Sequence, residues 1–206
     1  MKITAIKPQL KKSDRVSIFV DGEYSFSLSQ SEMLRQQLSP NQNIDKTRLR
    51  QLIKLSSEDK AYINTLRYVS LRPRSEWEVK TYLDRKKFKQ ETVELILNKL
   101  SNLGLINDPA FAKSWIENRQ LLKPRSSRLL KQELRKKNIA KEVIDSALSA
   151  QPIDETANII RIVENKRKQP KYRDDQKIIQ YLARQGFNYG DIKTALSSLN
   201  SSRSSD

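Results

Sequence analysis

Cysteine and histidine are both missing from this 206-residue chain. The first absence excludes a disulfide framework and thiolate metal sites. The second removes the commonest zinc ligand and the usual general base. Glycine is scarce, and Gly22, Gly104, Gly186 and Gly190 form neither a Walker loop nor a Rossmann fingerprint. Uncharged apolar runs last only a few residues, so no span of a membrane is expected. The N-terminus also lacks an apolar signal core, which points to a soluble, cytoplasmic protein. Acid is in short supply as well, with 24 Asp+Glu against 40 Lys+Arg and a formal charge of +16.

That excess is evenly spread. Residues 1–55, 56–105, 106–150 and 151–206 carry nets of +5, +3, +5 and +3, so the basicity is built into each module. A polyanion, or a partner already carrying one, is the natural ligand. Hydrophobic content of 36% and charged content of 31% are lean for one globule but suit thin helical layers.

What is present is a repeat. Residues 73–97 slide forward by 51 onto 124–148, and a further shift of 48 gives a third copy. Leu83, Leu134 and Leu182 coincide, as do Val79, Leu130 and Ile178; Phe88, Ile139 and Phe187; Val93, Ile144 and Ile192; and Ile96, Ala147 and Ala195. Apolar residues recur while those between them vary, the pattern of a unit repeated for its core face. The expected fold is mostly α: three tandem three-helix repeats in an elongated, curved array, behind a small N-terminal β-hairpin and helix unit. The expected divisions are 1–55, 56–105, 106–151, 152–200 and a disordered tail, 201–206.

In the N-terminal unit, residues 16–20 and 24–28 alternate about Asp21-Gly22, which predicts a hairpin. Residues 3–7 are a candidate third strand. Helices are expected over 29–37 and 45–55, the second capped by Asp45 with Leu49, Leu52 and Ile53 on one face. Pro73, Pro124 and Pro170 each mark a corner after the first helix of a repeat. Ser75 and Glu78 form a capping-box pattern, and Phe88, Ile139 and Phe187 staple onto Val93, Ile144 and Ile192 across the caps Lys89, Ala140 and Asn188. Leu103-Gly104 reads as a helix end, and Asp108-Pro109 as a cap followed by Pro at the first helical position.

Cations gather around the second helices. The first repeat has Arg72, Arg74 and Lys80, with Arg85, Lys86 and Lys87 beyond. The second has Arg119, Lys123, Arg125, Arg128, Lys131, Arg135, Lys136 and Lys137, and the third has Arg167, Lys168, Lys171, Arg173 and Lys177. Arg128, Lys131 and Arg135 share one helix face opposite Leu130 and Leu134, and Glu133 is the one carboxylate of that stretch. Any single lysine is ordinarily a solvated surface residue, but the stripe as a whole favours binding. Trp77, Tyr82, Trp115, Tyr172, Tyr181 and Tyr189 could stack on bases; packing is the commoner role at their positions, with Tyr172 set in a basic corner. The pairs Asp174-Asp175 and Asp154-Glu155 could in principle hold magnesium. Adjacent acids on a helix diverge, however, and both pairs sit where helices begin. No catalytic residue, metal or cofactor is therefore assigned.

The stretches Arg74-Ser75-Glu76…Val79…Leu83…Phe88, Leu105-Ile106-Asn107-Asp108-Pro109-Ala110-Phe111-Ala112, Trp115-Ile116-Glu117-Asn118-Arg119 and Leu129…Glu133-Leu134 resemble the RecX regulatory proteins. The resemblance covers about residues 56–200, and the N-terminal hairpin is similar to an extension that some members carry. Asn138 departs from the glycine often found there, although Asn also tolerates the left-handed conformation. The resemblance implies a non-enzymatic modulator, usually an inhibitor, of the RecA recombinase. It would bind the groove of RecA–DNA filaments and limit filament growth, ATP hydrolysis, strand exchange and repressor cleavage. The implied partners are the filament and single-stranded DNA, with double-stranded DNA as a second form, and a monomer is the default state. A free-standing basic DNA-binding module is the rival reading. The proposed contact residues are Arg72, Arg74, Lys80, Arg119, Lys123, Arg125, Arg128, Lys131, Arg135, Lys136, Arg167, Lys171, Tyr172 and Arg173.

Overall fold

The computed structural model describes residues 1–10 and 12–203. Strands β2 (Lys12–Val20) and β3 (Glu23–Ser29) form as the alternation predicts: Val16, Ile18, Val20, Phe26 and Leu28 all enter one core, as period-two residues on one sheet face must. Asp21 and Gly22 join them at φ 49° and 91°, the pair of left-handed residues that a two-residue hairpin turn requires. The third strand, β1 (Ile3–Gln9), pairs antiparallel with β2 and gives the order β1-β2-β3. Pro8 is tolerated because β1 is an edge strand.

A short helix, α1 (Gln30–Arg35), follows with Ser29 as its cap. The next helix corrects the sequence reading. It was expected to stop at Leu55, but α2 (Lys46–Ser70) is a single 25-residue helix that starts on the Asp45 cap. No Gly or Pro interrupts it, and the polar residues that resembled a linker have a structural task. Ser56 Oγ donates to the Ser27 carbonyl at 2.6 Å. The Asp59 carboxylate accepts from Ser29 N–H at 2.8 Å, Ser29 Oγ at 2.6 Å and Arg15 Nη1 at 2.8 Å. Arg15 also donates to the Ser27 carbonyl at 2.8 Å. Side chains on α2 thus satisfy the backbone of β3 along its open edge, a protected rather than an exposed edge. Ile53, expected on the apolar face with Leu49 and Leu52, is exposed instead.

The chain divides into two compact units, Met1–Ile106 and a second beginning at Asn107. In the first, the N-terminal half of α2 covers the sheet, and its C-terminal half packs with α3 (Glu76–Arg85) and α4 (Gln90–Asn102) around Ala61, Val79, Leu83, Val93, Ile96 and Leu100. The second holds two more three-helix groups. One is α5 (Asp108–Leu122), α6 (Ser127–Arg135) and α7 (Lys141–Ala150), around Ile116, Leu130, Leu134 and Ile144. The other is α8 (Glu155–Arg167), α9 (Asp175–Arg184) and α10 (Tyr189–Arg203), around Ile159, Val163, Ile178, Leu182 and Ile192. The Ser75–Glu78 capping box is present. Helix α5 is capped by Asn107, one residue earlier than Asp108. The third corner is unlike the other two: Pro170 opens a 3₁₀ turn, Pro170–Tyr172, before the Asp174 cap, because it lies two residues ahead of the place that matches Pro73 and Pro124. The polar end expected to be disordered from residue 201 is helical as far as Arg203, and 204–206 lie outside the described residues.

The joint between the second and third helices is the same in every repeat. The N–H groups of Phe88, Ile139 and Phe187 donate to the carbonyls of Leu83, Leu134 and Leu182, while those of Lys87, Asn138 and Gly186 donate to Asp84, Arg135 and Ala183. This is a Schellman end, and the residue in the left-handed position has φ of 59°, 57° and 85° at Lys87, Asn138 and Gly186 respectively. The apolar residue that completes it is also the one that staples the next helix, so one side chain sets both helix directions. Gly186 has a second constraint, since a Cβ there would collide with Ser126 Oγ and lie 3.0 Å from Leu129 Cβ. Ser126 Oγ donates to the Gln185 carbonyl at 3.1 Å, which locks α6 onto the end of α9.

Two outcomes follow for stability. Gly186→Ala should lower it by more than the roughly 1–2 kcal/mol of left-handed strain, because the added methyl also parts α6 from α9; calorimetry measures this. Asp59→Asn leaves a buried arginine without its counter-ion and should cost about 3–5 kcal/mol by denaturant titration.

Candidate functional site

The residues proposed from the sequence fall into two groups once their surroundings are known. The first group is occupied in holding helices together. Arg72 makes a two-pronged pair with Glu78, 2.8 Å and 3.1 Å, on the carboxylate that also closes the α3 capping box. Arg74 lies 3.9 Å from the centre of the Tyr68 ring, which in turn stacks on Tyr82 at 4.2 Å. Burial against this stack raises the Tyr82 hydroxyl above its ordinary pKa. In the second repeat Glu133 gathers three groups: Trp115 Nε1 and Arg119 Nε each donate at 2.8 Å, and Arg125 Nε lies at 3.6 Å. Arg125 also donates to the Gln185 side chain. Arg167 pairs with Asp175 at 2.6 Å.

Lys131 also makes such a contact, although its side chain stays 40% exposed. Its ammonium donates to Asp145 at 2.7 Å and ties α6 to α7. The hydrogen bond from Lys131 holds the Asp145 carboxyl below the usual carboxylate range. A depressed carboxyl stabilises the fold fully above its unfolded pKa of about 3.9, and that contribution is lost as the pH falls through the lower folded value. The Lys131 link should therefore weaken only in acid.

The second group reaches solvent: Lys80, Lys123, Arg128, Arg135, Lys136, Lys171 and Arg173 are all exposed. Three of these, Arg128, Arg135 and Lys136, come from α6 and its C-cap, and Leu130 and Leu134 fix the direction of that face by filling the core from the opposite side. With Glu133 turned toward Arg119 and Arg125, the outer face of α6 is predominantly basic, Asp145 acting on Arg135 only at longer range. Tyr172, the aromatic first in line for base stacking, is half-buried with its ring edge-on to Tyr181 at 5.7 Å, and Lys166 lies against both rings. Tyr82, Trp115 and Tyr181 are packing residues of the same kind. Trp77 and Tyr189 are the exposed aromatics of the original six.

Sequence reasoning did not single out Arg15, Asp59 or Gln185. All three act across 44 to 60 residues of chain, a separation that no local periodicity reports. The acid pairs weighed as metal ligands have other partners: Asp154 and Asp174 cap α8 and α9, Glu155 accepts from Ser127 N–H, and Asp175 holds Arg167. Among the described residues no group of three or more His, Cys, Asp or Glu could hold a metal ion, and no helix is long and apolar enough to cross a membrane.

The division between the two groups is testable by circular dichroism. Arg128→Glu with Arg135→Glu should leave helicity unchanged and stability within about 0.5 kcal/mol, as for ordinary surface sites. Adding Lys131→Glu sets a carboxylate against Asp145 and should lower the melting temperature clearly.

The chain is similar to known proteins in sequence and fold. Family models match three parts of the chain: the RecX N-terminal domain over residues 1–45, the first RecX three-helix domain over 61–100 and the second over 107–148. The regulatory protein RecX of Levilactobacillus brevis is 31% identical over 199 residues, 94% of this chain and 74% of that one. The RecX of a Listeria monocytogenes strain is 28% identical over 95% of this chain and 74% of its own length. Among solved structures, a crystal structure of regulatory protein RecX aligns with TM-score 0.68 at 28% identity, covering 95% of this chain and 98% of its own. RecX from Lactobacillus salivarius aligns with TM-score 0.60 at 26% identity over 70% of this chain and 97% of its own. With its strand unit, its tandem three-helix groups and a relative above 30% identity over most of both chains, this protein belongs to the RecX family of regulatory proteins.

Proposed function

We infer that this protein is a non-enzymatic regulator of the RecA recombinase, acting as an inhibitor that occupies the groove of RecA–DNA filaments. Membership of the RecX family supports the partner. The observation that carries the mode of action is the outer face of α6, where Arg128, Arg135 and Lys136 stand exposed while the nearby carboxylates Glu133 and Asp145 are turned to other partners. Such a face attracts acidic protein surface and phosphate alike, and its long-range pull weakens with salt. Lys123, at the end of α5, and Lys80, Lys171 and Arg173, on the other helix groups, present the same chemistry. By contrast Arg72, Arg74, Arg119, Arg125, Lys131 and Arg167 are engaged in ion pairs and ring contacts between structural elements.

Occupying the groove would limit filament growth and with it ATP hydrolysis, strand exchange and repressor cleavage. The protein would act as a monomer in the cytoplasm, with no cofactor. The same exposed cations favour a second reading, a free-standing DNA-binding module. Salt separates the two. On duplex DNA a module held by phosphate contacts alone loses affinity with a log–log slope of about −0.9 per contact, whereas a filament complex keeps its protein–protein share.

In co-sedimentation across a salt series, the protein should remain with RecA filaments at salt that strips it from bare DNA, and substoichiometric amounts should lower single-strand-dependent ATP hydrolysis by RecA. The Arg128→Glu, Arg135→Glu variant should lose most of both effects. Unchanged hydrolysis at saturating wild-type protein would remove the inhibitor reading.

A further inference from the structure

In the first unit a cavity of about 640 Å³ opens between β3, the middle of α2 and the turn after α3. That volume falls within the roughly 300–1,000 Å³ typical of ligand sites. Lys60 enters from α2, Lys86 and Lys87 from the turn, and Tyr24 from the start of β3; Ser56, Ser57 and Tyr82 add hydroxyl groups. Among the described residues lining it there is no carboxylate. All three lysines are exposed, and none is among the contact residues proposed from the sequence.

Lys87 is the most telling of them. It occupies the left-handed position of the Schellman end at φ 59°, where the matching residues of the other repeats are Asn138 and Gly186. Glycine takes this conformation freely and asparagine tolerates it, but a long side chain adopts it at a cost. Charge at the end of the helix does not account for the choice, since Lys86, at the C-cap itself, already meets the negative end of the dipole. A strained residue retained where two easier ones serve elsewhere points to use of its side chain, and that side chain lines the cavity.

The surroundings decide between ligands. An added peptide strand would need the open edge of β3. The Ser27 carbonyl is already taken by Arg15 and Ser56, and Ser29 N–H by Asp59. The cations are lysines alone, point charges suited to following a phosphate backbone, without the arginine fork that grips a carboxylate from two sides. Tyr24, 59% exposed at the rim, offers a ring face to a base. We propose that this cleft binds a short stretch of single-stranded nucleic acid, with Lys60, Lys86 and Lys87 on successive phosphates and Tyr24 stacked on a base. The choice of ligand rests on the reading of the chain as a regulator of DNA filaments; the site itself rests on its own geometry.

The test measures binding of a fluorescent oligothymidylate to the full chain by anisotropy, across salt. Lys60→Gln, Lys86→Gln and Lys87→Gly together should weaken binding at least tenfold and flatten the log–log salt slope by about 2, from roughly 0.7 per single-strand phosphate contact. Tyr24→Ala alone should weaken it about tenfold, as loss of one stacked base does. Lys87→Gly alone supplies a readout that a structural role would not produce: affinity falls while the melting temperature rises, because glycine relieves the strain. An equally charged control, Lys46→Gln with Lys89→Gln and Lys193→Gln, sets the effect of net charge. The site is overturned if the cleft variant loses no more affinity than that control, or if wild-type protein does not bind the oligonucleotide. It is overturned in favour of an acidic peptide if the cleft variant loses affinity for oligoglutamate and retains it for oligothymidylate. Co-sedimentation of wild type and cleft variant with RecA filaments keeps the two ideas apart. Wild-type protein failing to sediment with filaments sinks the filament reading, whereas a salt slope indifferent to the three lysines sinks the cleft.

Discussion

Everything in the helical part of this protein depends on a hydrogen bond made three times, from the N–H of Phe88, Ile139 or Phe187 to the carbonyl of Leu83, Leu134 or Leu182. It satisfies an otherwise orphaned carbonyl at the end of one helix and fixes where the next begins. The same apolar side chain then drops into the core beside the first turn of that next helix. Each repeat has only a thin core, and a thin core cannot by itself specify the angle between short helices. The joint does so locally, which leaves the intervening surface residues free to vary. The outer face of α6 can be strongly basic because nothing on it is needed to set the fold.

The cations show how charge is divided between support and display. Arg119 and Arg125 converge on Glu133, Arg72 on Glu78, Lys131 on Asp145 and Arg167 on Asp175. Most of these pairs join one helix to another or to its own cap, and most are half-buried, where screening by salt is weaker than at an open surface. Glu78, Glu133, Asp145 and Asp175 are thus engaged by these pairs, while other carboxylates such as Glu117 and Glu142 stay exposed. The net charge of +16 is set by composition; the pairs decide only where the unpaired cations stand, as on the outer face of α6.

The apolar skeleton was readable in the sequence because it is periodic. Leu83, Leu134 and Leu182 mark the core through spacing alone, Ser75 and Asp45 announce helix starts through the hydrogen bonds their side chains can make, and Asn138 marks a helix end through its tolerance of the left-handed conformation. Features that arise from distant parts of the chain were hidden. Ser56 and Asp59 resemble the polar linker between two helices until β3 is placed beside them. Lys131 resembles the third member of a solvent stripe until α7 brings Asp145 within reach. The third corner misled for a smaller reason: Pro170 is shifted by two residues, enough to wind a 3₁₀ turn in place of a plain bend. In the candidate interface, sequence spacing found the exposed face of α6 but could not tell which arginines were already engaged.

The unbroken α2 has a mechanical consequence. Twenty-five residues of helix make a rod of about 37 Å at 1.5 Å per residue, clasped at its middle by the Asp59 carboxylate and packed at its far end into the first repeat. With no hinge between them, a twist applied to the sheet is handed on through a continuous ladder of backbone bonds. Sheet and first repeat therefore move as one lever, and whatever grips the strands also aims the helices.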